Sequence, residues 1–82
     1  MSDIRREIKD LIASINVTLD AASISDTDNI IETQILDSYG FVDLISQLEV
    51  AFDIVIESEE ITGSRFNNVD SITRFVTDKK NV

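Results

Sequence analysis

Cysteine and histidine are both absent from this 82-residue chain. Without cysteine there is no disulfide framework, no thiolate metal site and no cysteine nucleophile, and any thiol chemistry has to come from something added. Without histidine the chain lacks the side chain best suited to proton transfer near neutral pH, which is also the commonest metal ligand. Enzyme classes are therefore disfavoured, and no catalytic or metal-ligating residue is assigned. Positive charge is scarce: seven Lys and Arg stand against sixteen Asp and Glu, for a net charge of -9. No Lys or Arg occurs between Lys9 and Arg65, an interval that holds twelve of the sixteen carboxylates. A field of this sign repels nucleic acid and anionic lipid and suits a partner with a basic patch, although plain solubility explains acidity equally well. No apolar run approaches the length that spans a bilayer, and Met1–Arg6 lacks the basic-then-apolar layout of a secretion signal. The expectation is a cytoplasmic, monomeric protein with no membrane insertion and no nucleic-acid partner.

The hydrophobic fraction of 43% is ordinary for a globular domain, and the length suits one domain over residues 1–82. The spacing of Ile4, Ile8, Leu11, Ile12 and Ile15 predicts an amphipathic helix from Ser2 to about Val17. Residues Thr18 to Leu36 break that pattern with Asp20, Ser23, Ser25, Asp26, Asp28 and Asn29, which favour turns. The long loop so predicted carries Leu19, Ile24, Ile30, Ile31, Ile35 and Leu36, which should pack it against the body. A second helix starts at Asp37 or Ser38, either able to cap it, buries Phe41, Leu44, Ile45, Leu48 and Phe52, and ends near Asp53. Ile54-Val55-Ile56 reads as an extended connection, Ser58–Thr62 as a short helical turn before the breaker Gly63, and Phe66 with Val69 as anchors of a further turn. Asp70 looks like the cap of a last helix with Ile72, Phe75 and Val76 inside and Lys79 and Lys80 at its negative end. The fold class is all-α: three main helices plus short helical turns, with one long first loop.

The run from Ile35 to Ile54 contains Leu36-Asp37-Ser38-Tyr39-Gly40, then apolar residues at helical spacing, then Phe52-Asp53-Ile54. It resembles the second-helix segment of acyl carrier proteins. Ile56–Glu60 and Phe66–Ile72 resemble that family's later loop and last helix, so the likeness covers most of the chain. An Asp-Ser pair alone is a weak signal and fits an ordinary helix cap. Placed after a long loop, and opening an amphipathic helix in an acidic domain, it is more specific. The resemblance implies a small acyl-carrier-like bundle with 4'-phosphopantetheine attached covalently at Ser38, beside Asp37. The thiol of that arm would hold an acyl or aminoacyl group as a thioester. A phosphodiester there would meet free N–H groups and the positive end of a helix.

The resemblance also makes the second helix a docking face, with Asp43 and Glu49 meeting basic residues and Tyr39, Val42 and Ser46 in closer contact. The implied partners are a phosphopantetheinyl transferase, an acyl- or aminoacyl-activating enzyme, and an accepting synthase or transferase. Structurally, Asp43 and Glu49 need be no more than a solvated helix face. Leu48, Phe52, Ile56, Phe66 and Ile72 read as core, which in the family can part to admit an acyl chain. Gly40, which costs a helix roughly 0.5–1 kcal/mol relative to Ala, hints at close approach by a partner or by the arm. Tyr39-Gly40 replaces the Leu-Asp usual in fatty-acid carriers, and Ser46 and Val50 stand where those proteins more often have Met and an acidic residue. These departures point to a dedicated carrier of an amino acid or a specialised acyl group.

Two other classes compete. Asp26-Thr27-Asp28-Asn29-Ile30-Ile31 opens like an EF-hand loop with Asp37 at the twelfth position, but Ile30 replaces the fifth ligand, Ile31 the turn glycine and Asp37 the usual Glu. A cofactor-free acidic interaction domain fits the same composition. A hydrolase reading would need a base beside Ser38, and the sequence near it supplies none. Asn16-Val17-Thr18 matches the glycosylation pattern only by chance if the chain is cytoplasmic.

Overall fold

The computed structural model describes residues 3–80. Helix α1 spans Ile4–Ile15, α2 Ser38–Phe52, α3 Gly63–Phe66 and α4 Val69–Lys80, with 3-10 turns at Ala21–Ser23 and Ser58–Glu60. Among the described residues there is no strand, and the all-α class holds.

Helix α1 is shorter than its periodicity predicts. Asp3 caps it, its carboxylate accepting from the Arg6 N–H at 3.2 Å, and Ser2 lies outside the described residues. At the other end Asn16 turns extended and Val17 is left 84% exposed. Ile8 and Ile12 are fully buried, with Ile4, Leu11 and Ile15 packed at the edge of the core. In the long loop Ile24, Ile30 and Leu36 are buried and Leu19 and Ile35 half-buried, so the loop does pack as a lid on the bundle. Ile31 is the exception, 45% exposed, because the Asn29 side chain accepts from the N–H groups of both Ile31 and Glu32 and turns this stretch outward.

The residues after α2 alternate as extended chain must: Ile54 half-buried, Val55 exposed, Ile56 buried. Two boundary expectations need correction. Gly63 does not break a helix but opens α3, since the extended Thr62 before it offers its carbonyl to the N–H groups of Arg65 and Phe66. Asp70 does not cap α4. The Asn68 side chain does, accepting from the Ser71 N–H at 2.8 Å, while Asp70 sits in the first turn with its carboxylate 2.8 Å from Arg5 Nη2.

All buried side chains form one apolar core, with no polar or charged residue buried among the described residues. Phe66 sits at its centre, edge-on to Phe41 (ring centroids 6.1 Å apart) and tilted against Phe75 (4.9 Å). The radius of gyration, 11.6 Å, matches the value of about 12 Å expected of one compact unit of this length. Charge closes the edges. Arg5 and Lys9 of α1 both pair with Asp26 of the loop, and Arg5 also reaches Asp70, so the two cations tie α1, loop and α4 together. At the far end of α4, Lys79 Nζ lies 2.7 Å from Glu60 Oε1. That hydrogen bond, with a second from the Glu57 N–H, holds the Glu60 carboxyl below the ordinary glutamate range despite partial desolvation.

Candidate functional site

Ser38 is the first residue of α2 and is exposed. Its helix is started by its neighbour: Asp37 is extended (φ -87°, ψ -174°), and its Oδ1 accepts from the Gly40 N–H at 2.7 Å while its carbonyl accepts from the Phe41 N–H at 2.9 Å. Capping thus falls to Asp37, and the Ser38 hydroxyl makes no hydrogen bond among the described residues. A serine with that duty lifted presents a free hydroxyl at the positive end of a fifteen-residue helix.

Tyr39, Val42, Asp43 and Ser46 are all exposed, Tyr39 at 88%. Together with Val50, 85% exposed, they run down one side of α2 at three- and four-residue steps. Val50 extends the outward face by a turn beyond what its sequence position suggested; the available signal was an apolar residue four places after Ser46 on a polar face. Glu49 stands apart. It is half-buried, and its Oε2 accepts from the Ile56 N–H at 3.1 Å, so it ties the connection after α2 back onto the helix.

Most of the acidity around this face is unpaired. Of the twelve carboxylates between Lys9 and Arg65, Asp26 and Glu60 are the two in ion pairs among the described residues. Asp37, Asp43 and Asp53 along α2 face solvent without an ion pair among the described residues, so the helix carries negative charge beside exposed apolar side chains, with Lys80 over the Phe52 ring at its far end.

Gly40 is explained from inside the molecule. A Cβ there would lie 3.2 Å from Leu36 Cδ2 and 3.3 Å from both Asp37 Oδ1 and Ile15 Cγ2. The close approach that its missing side chain permits is to the end of α1 and to the cap, and no partner or arm is required to account for it.

Two grooves flank the start of α2. One, about 380 Å³, lies between the long loop, α2 and α3, with apolar walls from Ile31, Phe41, Ile61 and Phe66. Its nearest wall, Phe41, is about 4.5 Å of helical rise past Ser38. The other, about 320 Å³, lies against the end of α1, lined by Asn16, Val17, Gln34, Asp37 and Gly40. Another hollow, about 430 Å³, is on a different part of the surface, between the first half of α1 and Asp20–Ala22, among charges of both signs. Leu48, Phe52, Ile56, Phe66 and Ile72 are all packed in the core.

The stretch that opens like an EF-hand does not gather ligands. Asp26 is held by Arg5 and Lys9, Ile30 is fully buried, and Asp37 caps α2. Among the described residues no three carboxylates stand close enough to share a metal ion, and no helix is long and apolar enough to cross a membrane. The glycosylation-like Asn16 has its side-chain nitrogen, the atom a glycan would need, donated to the Ile35 carbonyl at 2.7 Å. A comparison with protein-family models finds no match for this chain, and none of the curated proteins compared is similar enough to match it.

Proposed function

We propose that this protein is a carrier that does no chemistry of its own, holding an acyl or aminoacyl group as a thioester on a 4'-phosphopantetheine arm attached to Ser38. The observation that carries the reading is the division of labour at the start of α2, where Asp37 caps the helix and Ser38 is left exposed with its hydroxyl free. Attachment would join Ser38 Oγ to the phosphorus of the arm as the pyrophosphate P–O bond of coenzyme A breaks, with the proton lost from the serine hydroxyl and adenosine 3',5'-bisphosphate as the leaving group. The arm would bring the thiol that a chain without cysteine lacks. The unpaired carboxylates of α2 and the exposed Tyr39, Val42 and Val50 suit docking to a basic transferase, activating enzyme or synthase. The apolar groove walled by Ile31, Phe41, Ile61 and Phe66 begins within a helical turn of Ser38 and gives a tethered cargo an apolar place to lie.

Incubation with coenzyme A and a broad-specificity phosphopantetheinyl transferase should add the mass of one phosphopantetheine group, and Ser38→Ala should abolish the addition. An unchanged mass in the folded wild-type protein would sink the proposal. The same exposed apolar side chains on an acidic helix favour a second reading, a cofactor-free interaction domain. It would be supported by unmodified protein that binds a basic partner through Tyr39 and Val42.

A further inference from the structure

Among the described residues, a long-range side-chain hydrogen bond joins the segment that carries Ser38 to the residue after α1. Asn16, directly after α1, donates from Nδ2 to the Ile35 carbonyl oxygen at 2.7 Å. Its Oδ1 accepts from the Thr18 N–H at 3.2 Å and from Thr18 Oγ1 at 2.6 Å. The partners fix the orientation of the amide, because a carbonyl oxygen can only accept and an N–H can only donate. Asn16 is extended, with φ -105°, so its place at the helix end is not explained by a left-handed backbone; the side chain is what the position uses.

Packing and the Leu36 N–H bond to the Ile30 carbonyl (3.2 Å) hold Leu36 itself, while the residues just before it are less enclosed. The cleft of about 320 Å³ runs between the end of α1 and residues 34–37; Val17 and Gln34 are exposed at its rim and Ile35 is only half-buried. Gln34 is also held at φ 61°, in the left-handed region that a residue with a Cβ adopts at some strain. A backbone turn under strain beside a poorly filled cleft needs a specific restraint, and the Asn16 bond is placed one residue after it and three residues before Ser38.

We propose that Asn16 is a positioning residue: its bond to Ile35 holds Leu36-Asp37-Ser38 in the arrangement that a modifying transferase engages. The inference rests on the carrier reading of Ser38. Asn16 touches no substrate and acts only through the loop. Releasing the bond lets the turn at Gln34 relax, so that a smaller fraction of molecules offers the engaged arrangement. Apparent affinity falls in proportion to that fraction, and the step at an already bound Ser38 is unchanged.

The test is steady-state transfer from coenzyme A by a broad-specificity transferase, with carrier concentration varied at a temperature where every protein is folded by circular dichroism. Asn16→Asp removes the donor to Ile35 and keeps an acceptor for Thr18; Thr18→Val removes one of the local bonds and spares the restraint. Asn16→Asp should raise KM for the carrier about three- to tenfold, the range of one net hydrogen bond, with kcat within about a factor of two. Thr18→Val should leave both constants at wild-type values. The added negative charge favours a basic transferase, so a rise in KM is not a charge artefact. If Asn16→Asp fails to fold, Asn16→Gln, which displaces the amide by a methylene, carries the same expectation. A wild-type KM in the folded Asn16 variant, or a fall in kcat at unchanged KM, overturns the assignment while the carrier reading stands; a wild-type protein that takes up no phosphopantetheine overturns both.

Discussion

Asp37 Oδ1 accepts a 2.7 Å hydrogen bond from the Gly40 N–H, and by doing so relieves Ser38 of the capping role that a serine in this position would otherwise fill. On the carrier reading, the two adjacent residues separate a structural task from a chemical one. Asp37→Ala should lower the unfolding free energy by about 1 kcal/mol, as loss of an N-cap does. Ser38→Ala should change it by less than about 0.5 kcal/mol, as an exposed residue outside any network does, while abolishing modification. Urea unfolding of the two variants beside their mass spectra checks the separation, and a large stability loss in Ser38→Ala would contradict it.

Gly40→Ala tests the packing of α2 on α1. Helix propensity favours the alanine by roughly 0.5–1 kcal/mol, but its Cβ meets Leu36, Asp37 and Ile15 at 3.2–3.3 Å, and overpacking of this kind typically costs about 1–3 kcal/mol. The crowding should win, with a net loss of about 1 kcal/mol and altered amide shifts at Ile15 and Asp37. A stabilised Gly40→Ala protein would show that those neighbours yield freely.

Asp53 ends α2 with φ 53° and ψ 52°, its N–H donating to the Glu49 carbonyl. Both the left-handed backbone and a negative side chain at the negative end of the helix are unfavourable there. Asp53→Gly should stabilise the protein by about 0.5–1 kcal/mol, measured as a raised urea midpoint at unchanged m-value.

Glu60 gives the pH dependence a sign. Its carboxyl is held below the ordinary value of 4.5, chiefly by the hydrogen bond from Lys79 and next by that from the Glu57 N–H. A lowered native pKa means that the unfolded chain takes up the proton first, so the contribution is fully present above the ordinary glutamate range and is lost as pH falls from there through the native value. Wild-type protein should lose stability over that interval faster than Glu60→Gln, and parallel acid-unfolding curves would show that the Lys79 contact contributes nothing.

The periodic residues made most of the fold legible. Ile8 and Ile12, then Leu44, Ile45, Leu48 and Phe52, then Ile72 and Val76, recur at the helical repeat, and that repeat decides which side of each helix leaves water whatever the other elements do. The start of α2 was equally plain, down to two residues either of which could cap it. The choice between Asp37 and Ser38 was not, because both side chains can reach an orphan N–H and only the backbone path into the helix selects one. At the start of α4 the sequence favoured Asp70, and the role fell to Asn68, since Asp70 is claimed by Arg5 of α1 from far away in the chain.

The same distinction runs through the candidate site. The sequence by itself determined an all-helical chain, an exposed serine opening an acidic helix, and the residue types on the outward side of that helix, all of which follow from local spacing and composition. Only the tertiary structure decided that Glu49 turns inward to Ile56, that Gly40 lies close against Ile15, that Asn16 grips Ile35, and which carboxylates are paired. Those are contacts between segments far apart in sequence or across a turn. They depend on how the long loop is laid over the helices, and that path is fixed by the burial of Ile24, Ile30 and Leu36 in a shared core, not by any pattern within the loop itself.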